Sequence, residues 1–112
     1  MSNLNKVMII GRLGSDPSKR TTSKDITVTN FSIATNTYYK SKEDEEKKEK
    51  TEWHRIVAFD RLAEICGEYL KKGHLVYVEG SLQTRSYDKE EQAHYITEIV
   101  LKNMQMLEPK DN

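Results

Sequence analysis

Thr51-Glu52-Trp53-His54-Arg55-Ile56-Val57-Ala58-Phe59 holds the only tryptophan of a chain of 112 residues. Read with the two-residue period of a strand, Trp53, Arg55, Val57 and Phe59 point to one side, and Glu52, His54, Ile56 and Ala58 to the other. One side then carries two flat aromatic faces with a cation between them, which is what a surface that stacks unpaired bases requires. A strand aromatic more commonly ends in a core, so burial of Trp53 and Phe59 is the competing reading. The flanking sequence has to decide between them.

Upstream, Asn5 to Gly14 opens with the apolar run Val7-Met8-Ile9-Ile10, a strand covered on both faces, with Gly11 marking a bulge or a close backbone approach. Asp16-Pro17 is a turn, and the polar stretch Ser18 to Asp25 reads as loop. Ile26 to Tyr39 is rich in Ile, Val, Thr, Phe and Tyr and reads as a long strand. Its apolar parity changes between Ile26-Val28 and Phe31-Ile33, which predicts a β-bulge near Thr29-Asn30. Lys40 to Lys50 contains five lysines and five acids and is expected to be a mobile hairpin tip.

Downstream, Asp60 is placed to cap a helix over Arg61 to Lys72, with Leu62, Ile65, Cys66, Tyr69 and Leu70 as its apolar stripe. Lys71-Lys72 complement its C-terminus and Gly73 ends it. His74 to Tyr87 is a second long β segment interrupted at Gly80, Asp88 to Glu91 a polar turn, and Ala93 to Lys102 the returning strand. Met104 to Leu107 closes the domain. The order of strand, long strand, strand, helix and strand pair predicts an all-β fold with one short helix. It is a five-stranded Greek-key barrel of the OB type with long hairpin extensions, over residues 1–107, followed by a short extension over 108–112.

Composition limits the alternatives. A chain with 36% hydrophobic residues at this length makes one core. Eighteen basic residues balance 18 acidic ones, so a nucleic-acid footprint has to be a local patch. The single Cys66 suits a reducing compartment, and Met1 to Leu4 shows no apolar leader. No stretch is long enough to span a bilayer, so the chain is expected to be soluble and intracellular. His54, His74 and His94 lie on different elements without zinc-site spacing, and no phosphate-cradling glycine loop is present. An enzyme is not expected, nor is a metal or other cofactor.

Several motifs together resemble the bacterial and mitochondrial single-stranded-DNA-binding proteins. They are Asn5-Lys6-Val7, Gly11-x-Leu13-Gly14-x-Asp16-Pro17, the Thr51 to Phe59 stretch, Tyr69-Leu70-Lys71-Lys72-Gly73, Val76-Tyr77-Val78-Glu79-Gly80-x-Leu82-x-Thr84-Arg85 and Met104-Gln105-Met106-Leu107. The resemblance runs from about residue 4 to residue 107 and implies a homotetramer that binds single-stranded DNA without reading sequence, in replication, recombination and repair. It implies stacking by Tyr39, Trp53, Phe59 and Tyr87, where tyrosine stands at the first and last positions in place of the family's frequent tryptophan. Phosphate contacts carry over onto Lys6, Arg20, Lys42, Arg55, Arg61, Lys72 and Arg85, and a subunit-interface role onto His54. Tyr77, set between Val76 and Val78, is read as packed or at a subunit contact.

Bacterial members usually continue through a flexible linker into an acidic tip that recruits replication and repair proteins. The 112 residues end at Lys110-Asp111-Asn112 without such a tail, so recruitment of those partners through it is not expected. The resemblance also implies a cytoplasmic, nucleoid-associated protein, with the mitochondrial matrix as the alternative. Two other OB readings stay open: a protein-binding module of the replication or restart machinery, and an RNA-binding domain, since stacking does not sense the sugar. With the resemblance, the exposed reading of Trp53 and Phe59 prevails.

Overall fold

A computed structural model describes residues 2–108, without the side chains of Ser41, Asp44 and Glu45. The extension expected over 108–112 lies outside the described residues apart from Glu108. The elements are β1 (Val7–Leu13), β2 (Ser18–Thr21), β3 (Thr27–Ser41), β4 (Asp44–Phe59), α1 (Asp60–Tyr69), β5 (Leu75–Lys89) and β6 (Gln92–Met106).

The strands follow one another in the order β1-β5-β6-β4-β3-β2, and β1 also pairs with β3 through Arg12–Ala34 and Leu13–Ile33. That second pairing closes five strands into a barrel and leaves β2 as an outer addition to β3. The one parallel contact joins β4 to β6 at Ile56–Ile99 and Val57–Val100. The expected OB barrel is therefore present, with its helix between the third and fourth barrel strands. Closing so small a barrel brings backbones together at Gly11 and Gly80, where a Cβ would run into the carbonyl oxygens of Ala34 and Val100. At Gly80 the β5–β6 register also shifts, with Lys102 the extra residue, which bends β6 around the barrel.

The core is filled by Leu13, Phe31, Ile33, Ile56, Ala58, Val76, Val78, Ile99 and Leu101 from the strands, with Ala63, Cys66 and Leu70 covering one end. Each large aliphatic side chain buried this way contributes about 1.5–3 kcal/mol. Thr29 is a fully buried polar residue, and its hydroxyl donates to the Ala63 carbonyl at 2.6 Å, tying the helix to β3. Burial pushes the Cys66 thiol up to about 11.

Several sequence expectations are corrected. Ser18 to Thr21 is strand and not loop, because its polar residues pair along β3 from Ser18–Asn30 to Thr21–Thr27. No bulge interrupts β3 at Thr29-Asn30; the β3–β4 register is unbroken from Val28–Phe59 to Lys40–Lys47. The parity change instead reflects burial on both sides: Thr29 and Phe31 face the core, while Val28 is buried outside it, opposite Phe59.

Lys40 to Lys50 is the expected hairpin, but nearly all of it is strand and not tip. Both strands run through it and turn only at Lys42-Glu43, because an antiparallel ladder satisfies its backbone groups without any buried side chain. The Lys47 ammonium stands 5.6 Å from the Tyr38 ring centroid, a cross-strand contact made in solvent.

Helix α1 stops at Tyr69, three residues short of the expected end. Leu70 turns to an extended conformation, and Lys72 and Gly73 are drawn into the β1 end: the Lys72 N–H donates to Asp16 Oδ1 and that of Gly73 to the Leu13 carbonyl, both at 2.9 Å. Asp60 makes no capping bond, and Tyr69 is exposed and not part of the buried stripe. The second hairpin turns on two residues, Glu90 and Glu91, both left-handed as a tight two-residue turn requires, and β6 then runs unbroken to Met106.

Candidate nucleic-acid interface

Strand β4 divides its side chains as its alternation predicts. Ile56 and Ala58 enter the core, while Trp53, Arg55 and Phe59 stay out in solvent and Val57 is buried on the outer side between them. Trp53 is 57% exposed and Phe59 43%, so neither ring is a core residue.

Small neighbours seat the Trp53 ring. Its cross-strand partner is Ala34, and the six-membered ring lies directly against Gly14, where a Cβ could not fit. The Gly14 N–H is fixed by the Ser32 carbonyl at 3.1 Å, so the backbone beneath the ring is held. Removing the side chain at one position thus presents a flat ring at another.

Beyond the short parallel contact, the β3–β4 and β5–β6 hairpins separate, and shallow hollows lie along the outer surface between them. One, of about 290 Å³, has an apolar floor of Val28, Val57 and Val100, with Phe59 beside it and Arg20 and Arg85 at its walls. A second lies beside Trp53, His54, Arg55 and Leu82. A third lies under Arg55 beside Asn30, Ser32 and Ile96. Arg55 thus links the Trp53 end of the row to the Phe59 end.

Arg85 Nε donates to Glu98 Oε1 at 2.8 Å, and the carboxylate holds the guanidinium above its ordinary range. Farther along β5, Tyr87 is 43% exposed with one ring face stacked on His94, centroids 5.4 Å apart and planes within 19°. Tyr39 is also exposed, on the charged arm. Its register puts it on the His54 side of the ladder, whereas Tyr38 takes the Trp53 side, so the arm offers one ring on each side.

The expected phosphate residues are not all gathered here. Arg20, Arg55 and Arg85 converge on the hollows. Lys42 is at the arm's turn, Arg61 is exposed at the start of α1, and Lys72 is in the loop after it. Lys6 is brought elsewhere: it pairs with Glu79 on the β1–β5 side of the barrel, and that bond holds the ammonium above and the Glu79 carboxyl below their ordinary ranges.

On that same side Met8 is 63% and Ile10 59% exposed, and Tyr77 stands opposite Ile10. His54 is half-buried on the side of β4 away from Trp53, its Nε2 and the Thr35 hydroxyl sharing a 2.8 Å hydrogen bond. Sequence reasoning missed Gly14, His94, Glu98 and the valine floor. Only cross-strand register brings His94, Glu98 and the valines to the row, while Gly14 stands in a motif that does not reveal its contact with Trp53.

Fold and face together define an OB-fold domain whose outer surface suits a flexible, base-bearing polyanion. The single-strand binding protein family matches residues 4–107, and the chain belongs to that family. It is 53% identical over 111 residues to single-stranded DNA-binding protein 1 of Chlorobaculum tepidum, covering 97% of this chain and 68% of that one. Over 113 residues it is 49% identical to single-stranded DNA-binding protein 1 of Xylella fastidiosa, covering 100% of this chain and 83% of the relative. Among solved structures it resembles the Plasmodium falciparum SSB in complex with single-stranded DNA, with a TM-score of 0.84 and 39% identity over 96% of this chain and 98% of that one. Among the described residues no helix is long and apolar enough to cross a membrane.

Proposed function

We propose that this single-stranded-DNA-binding chain holds its strand along the row Trp53–Arg55–Phe59, without reading sequence. The observation that carries the reading is that row itself: two half-exposed rings with an arginine between them, beside hollows walled by Arg20 and Arg85. Each ring offers a stacking surface worth about 1–3 kcal/mol per base, and every base has a face to offer. The arginines take up phosphates and displace counterions, which makes affinity fall with salt. Duplex DNA is rejected because its bases are already stacked.

From this row the strand continues to Tyr87 on one arm and passes around the edge of the other arm to Tyr39 on its far side, with Lys42, Arg61 and Lys72 as outlying phosphate contacts. Lys6, engaged by Glu79 on the other side, is not part of this path. Met8, Ile10 and Tyr77 form the apolar surface through which copies of the chain assemble, and His54 contributes to a second contact. Four copies then wrap one strand, each further contact being intramolecular. Such a particle protects single strands on the nucleoid during replication, recombination and repair.

Trp53 provides the test, since it is the sole tryptophan. Titration with oligo-dT is expected to quench its fluorescence strongly, with affinity falling as salt rises and little response to a matched duplex. Absence of quenching, or equal binding of duplex, rejects the reading.

A further inference from the structure

One carboxylate stands in the middle of this basic face. Glu98 lines all three hollows, and among the described residues it is the only acid lining any of them. Its side chain is 12% exposed, against 56% for Arg85, whose Nε it accepts at 2.8 Å. A half-buried carboxylate costs desolvation energy unless it is paired, and Arg85 supplies the pairing. Yet the barrel does not require a charge there: Glu98 sits on β6 between Thr97 and Ile99, and only Ile99 of the three enters the core. In a groove for a polyanion, an acid competes with the ligand for the same guanidinium.

We infer that Glu98 is a built-in counter-anion that holds Arg85 neutralised until a DNA phosphate displaces it, and so caps affinity and lowers the salt dependence of binding. The inference rests on the strand path given above. The physical argument is an exchange. A phosphate that meets a free guanidinium gives up the cation condensed on the DNA, and this release drives binding at low salt. Where the guanidinium is already held by a tethered carboxylate, the displaced carboxylate takes up a cation in turn, so the net release is smaller, and binding must also break a charge-assisted hydrogen bond. Arg85 therefore contributes less than Arg20 or Arg55, neither of which has an acidic partner among the described residues. The carboxylate stays beside the displaced strand and re-forms its bond as a phosphate leaves. The pair then favours a strand that exchanges readily over one bound as tightly as the face allows.

The test compares wild type, Glu98→Gln, Arg85→Gln and the double variant by oligo-dT titration over a salt series, with thermal unfolding in parallel. Glu98→Gln is expected to bind about tenfold tighter at low salt, the scale of one hydrogen bond to a charged group. Its log K against log salt should steepen by about 0.7, one more released counterion for a single strand. Neither gain should appear when Arg85 is also replaced. Glu98→Asp, too short to keep the 2.8 Å bond, should steepen the slope even if Glu98→Gln fails to fold.

Unchanged or weaker binding by Glu98→Gln overturns the proposal in favour of a role in orienting Arg85. A gain that survives Arg85→Gln, or one seen with oligo-dC and not with oligo-dT, overturns it in favour of plain repulsion or base recognition. Failure of the wild type to bind oligo-dT rejects the function itself. A wild type that binds, with Glu98 variants unchanged, rejects only the counter-anion.

Discussion

Two exposed surfaces of this barrel carry apolar side chains and treat charge in opposite ways. On the β1–β5 side, Met8, Ile10 and Tyr77 surround a charge that is already satisfied: Lys6 pairs with Glu79 and holds its carboxyl below the ordinary range. On the β4 side, Trp53 and Phe59 flank Arg55, with Arg20 close by; among the described residues neither of these has an acidic partner, and Arg85, held by Glu98, is the exception on that face. A surface that closes against another apolar surface gains by neutralising its charges, because an unpaired ion would be desolvated there at high cost. A surface that receives a polyanion gains by leaving its cations available. Exposure of apolar area alone does not distinguish the two; the fate of the neighbouring charge does.

The comparison breaks most visibly where the rings are removed. Replacing both Trp53 and Phe59 by alanine should weaken oligo-dT binding by about two orders of magnitude or more at every salt concentration, two stacking surfaces being lost. Anisotropy of a labelled oligonucleotide checks this, and a loss under fivefold would mean that the rings do not stack bases. On the other surface, Ile10→Glu should leave the fold intact while weakening assembly by at least about tenfold, since a charge would be buried against an apolar partner. Sedimentation at micromolar concentration reads the outcome.

Smaller effects sharpen the contrast. Arg20→Ala should flatten the salt slope by about 0.7, the share of one phosphate contact, whereas Lys6→Ala should leave it unchanged. Smallest is the pH response of the Lys6–Glu79 pair. The hydrogen bond from Lys6 lowers the Glu79 carboxyl from 4.5, so its contribution to stability is present above that value and is lost as pH falls through the lowered one. The bond to Glu79 raises Lys6 from 10.5, so its contribution is present below that value and is lost as pH rises through the raised one. Both groups meet solvent, so the melting temperature of Lys6→Ala should differ from wild type only slightly, and only between these limits.

Much of this division was legible in the sequence where it rests on local alternation. Trp53, Arg55 and Phe59 read as one side of a strand, and the structure keeps them exposed on that side. Gly11 read as a bulge or a close approach, and it is a close approach; Gly80 read only as an interruption of its strand, and the contact with the Val100 carbonyl was not foreseen. The misreadings share a physical origin. Lys40 to Lys50 looked like hairpin tip because charge was equated with irregularity, yet a hydrogen-bonded ladder tolerates charge on both faces. Val28 looked out of phase because one face was assumed to be solvent, when the floor beside Phe59 also excludes water. Gly73 looked like a helix stop because its left-handed backbone suits one, although here it serves the turn into β5. Glu98 was invisible as a site residue. In an alternating strand it reads as one more solvated acid, and only the register with Arg85 and the course of β4 reveals its position.

The sulfur at the barrel end has a use of its own. Cys66 is the only thiol in the chain; it is fully covered, and its ionisation is pushed up to about 11. Near neutral pH a reagent that attacks thiolates meets almost none in the native molecule and an ordinary cysteine once the helix lifts away. The rate at which such a reagent consumes the chain is therefore a clock for opening of the barrel. It can be read in the presence of a nucleic acid, whose own absorbance would mask an optical melt.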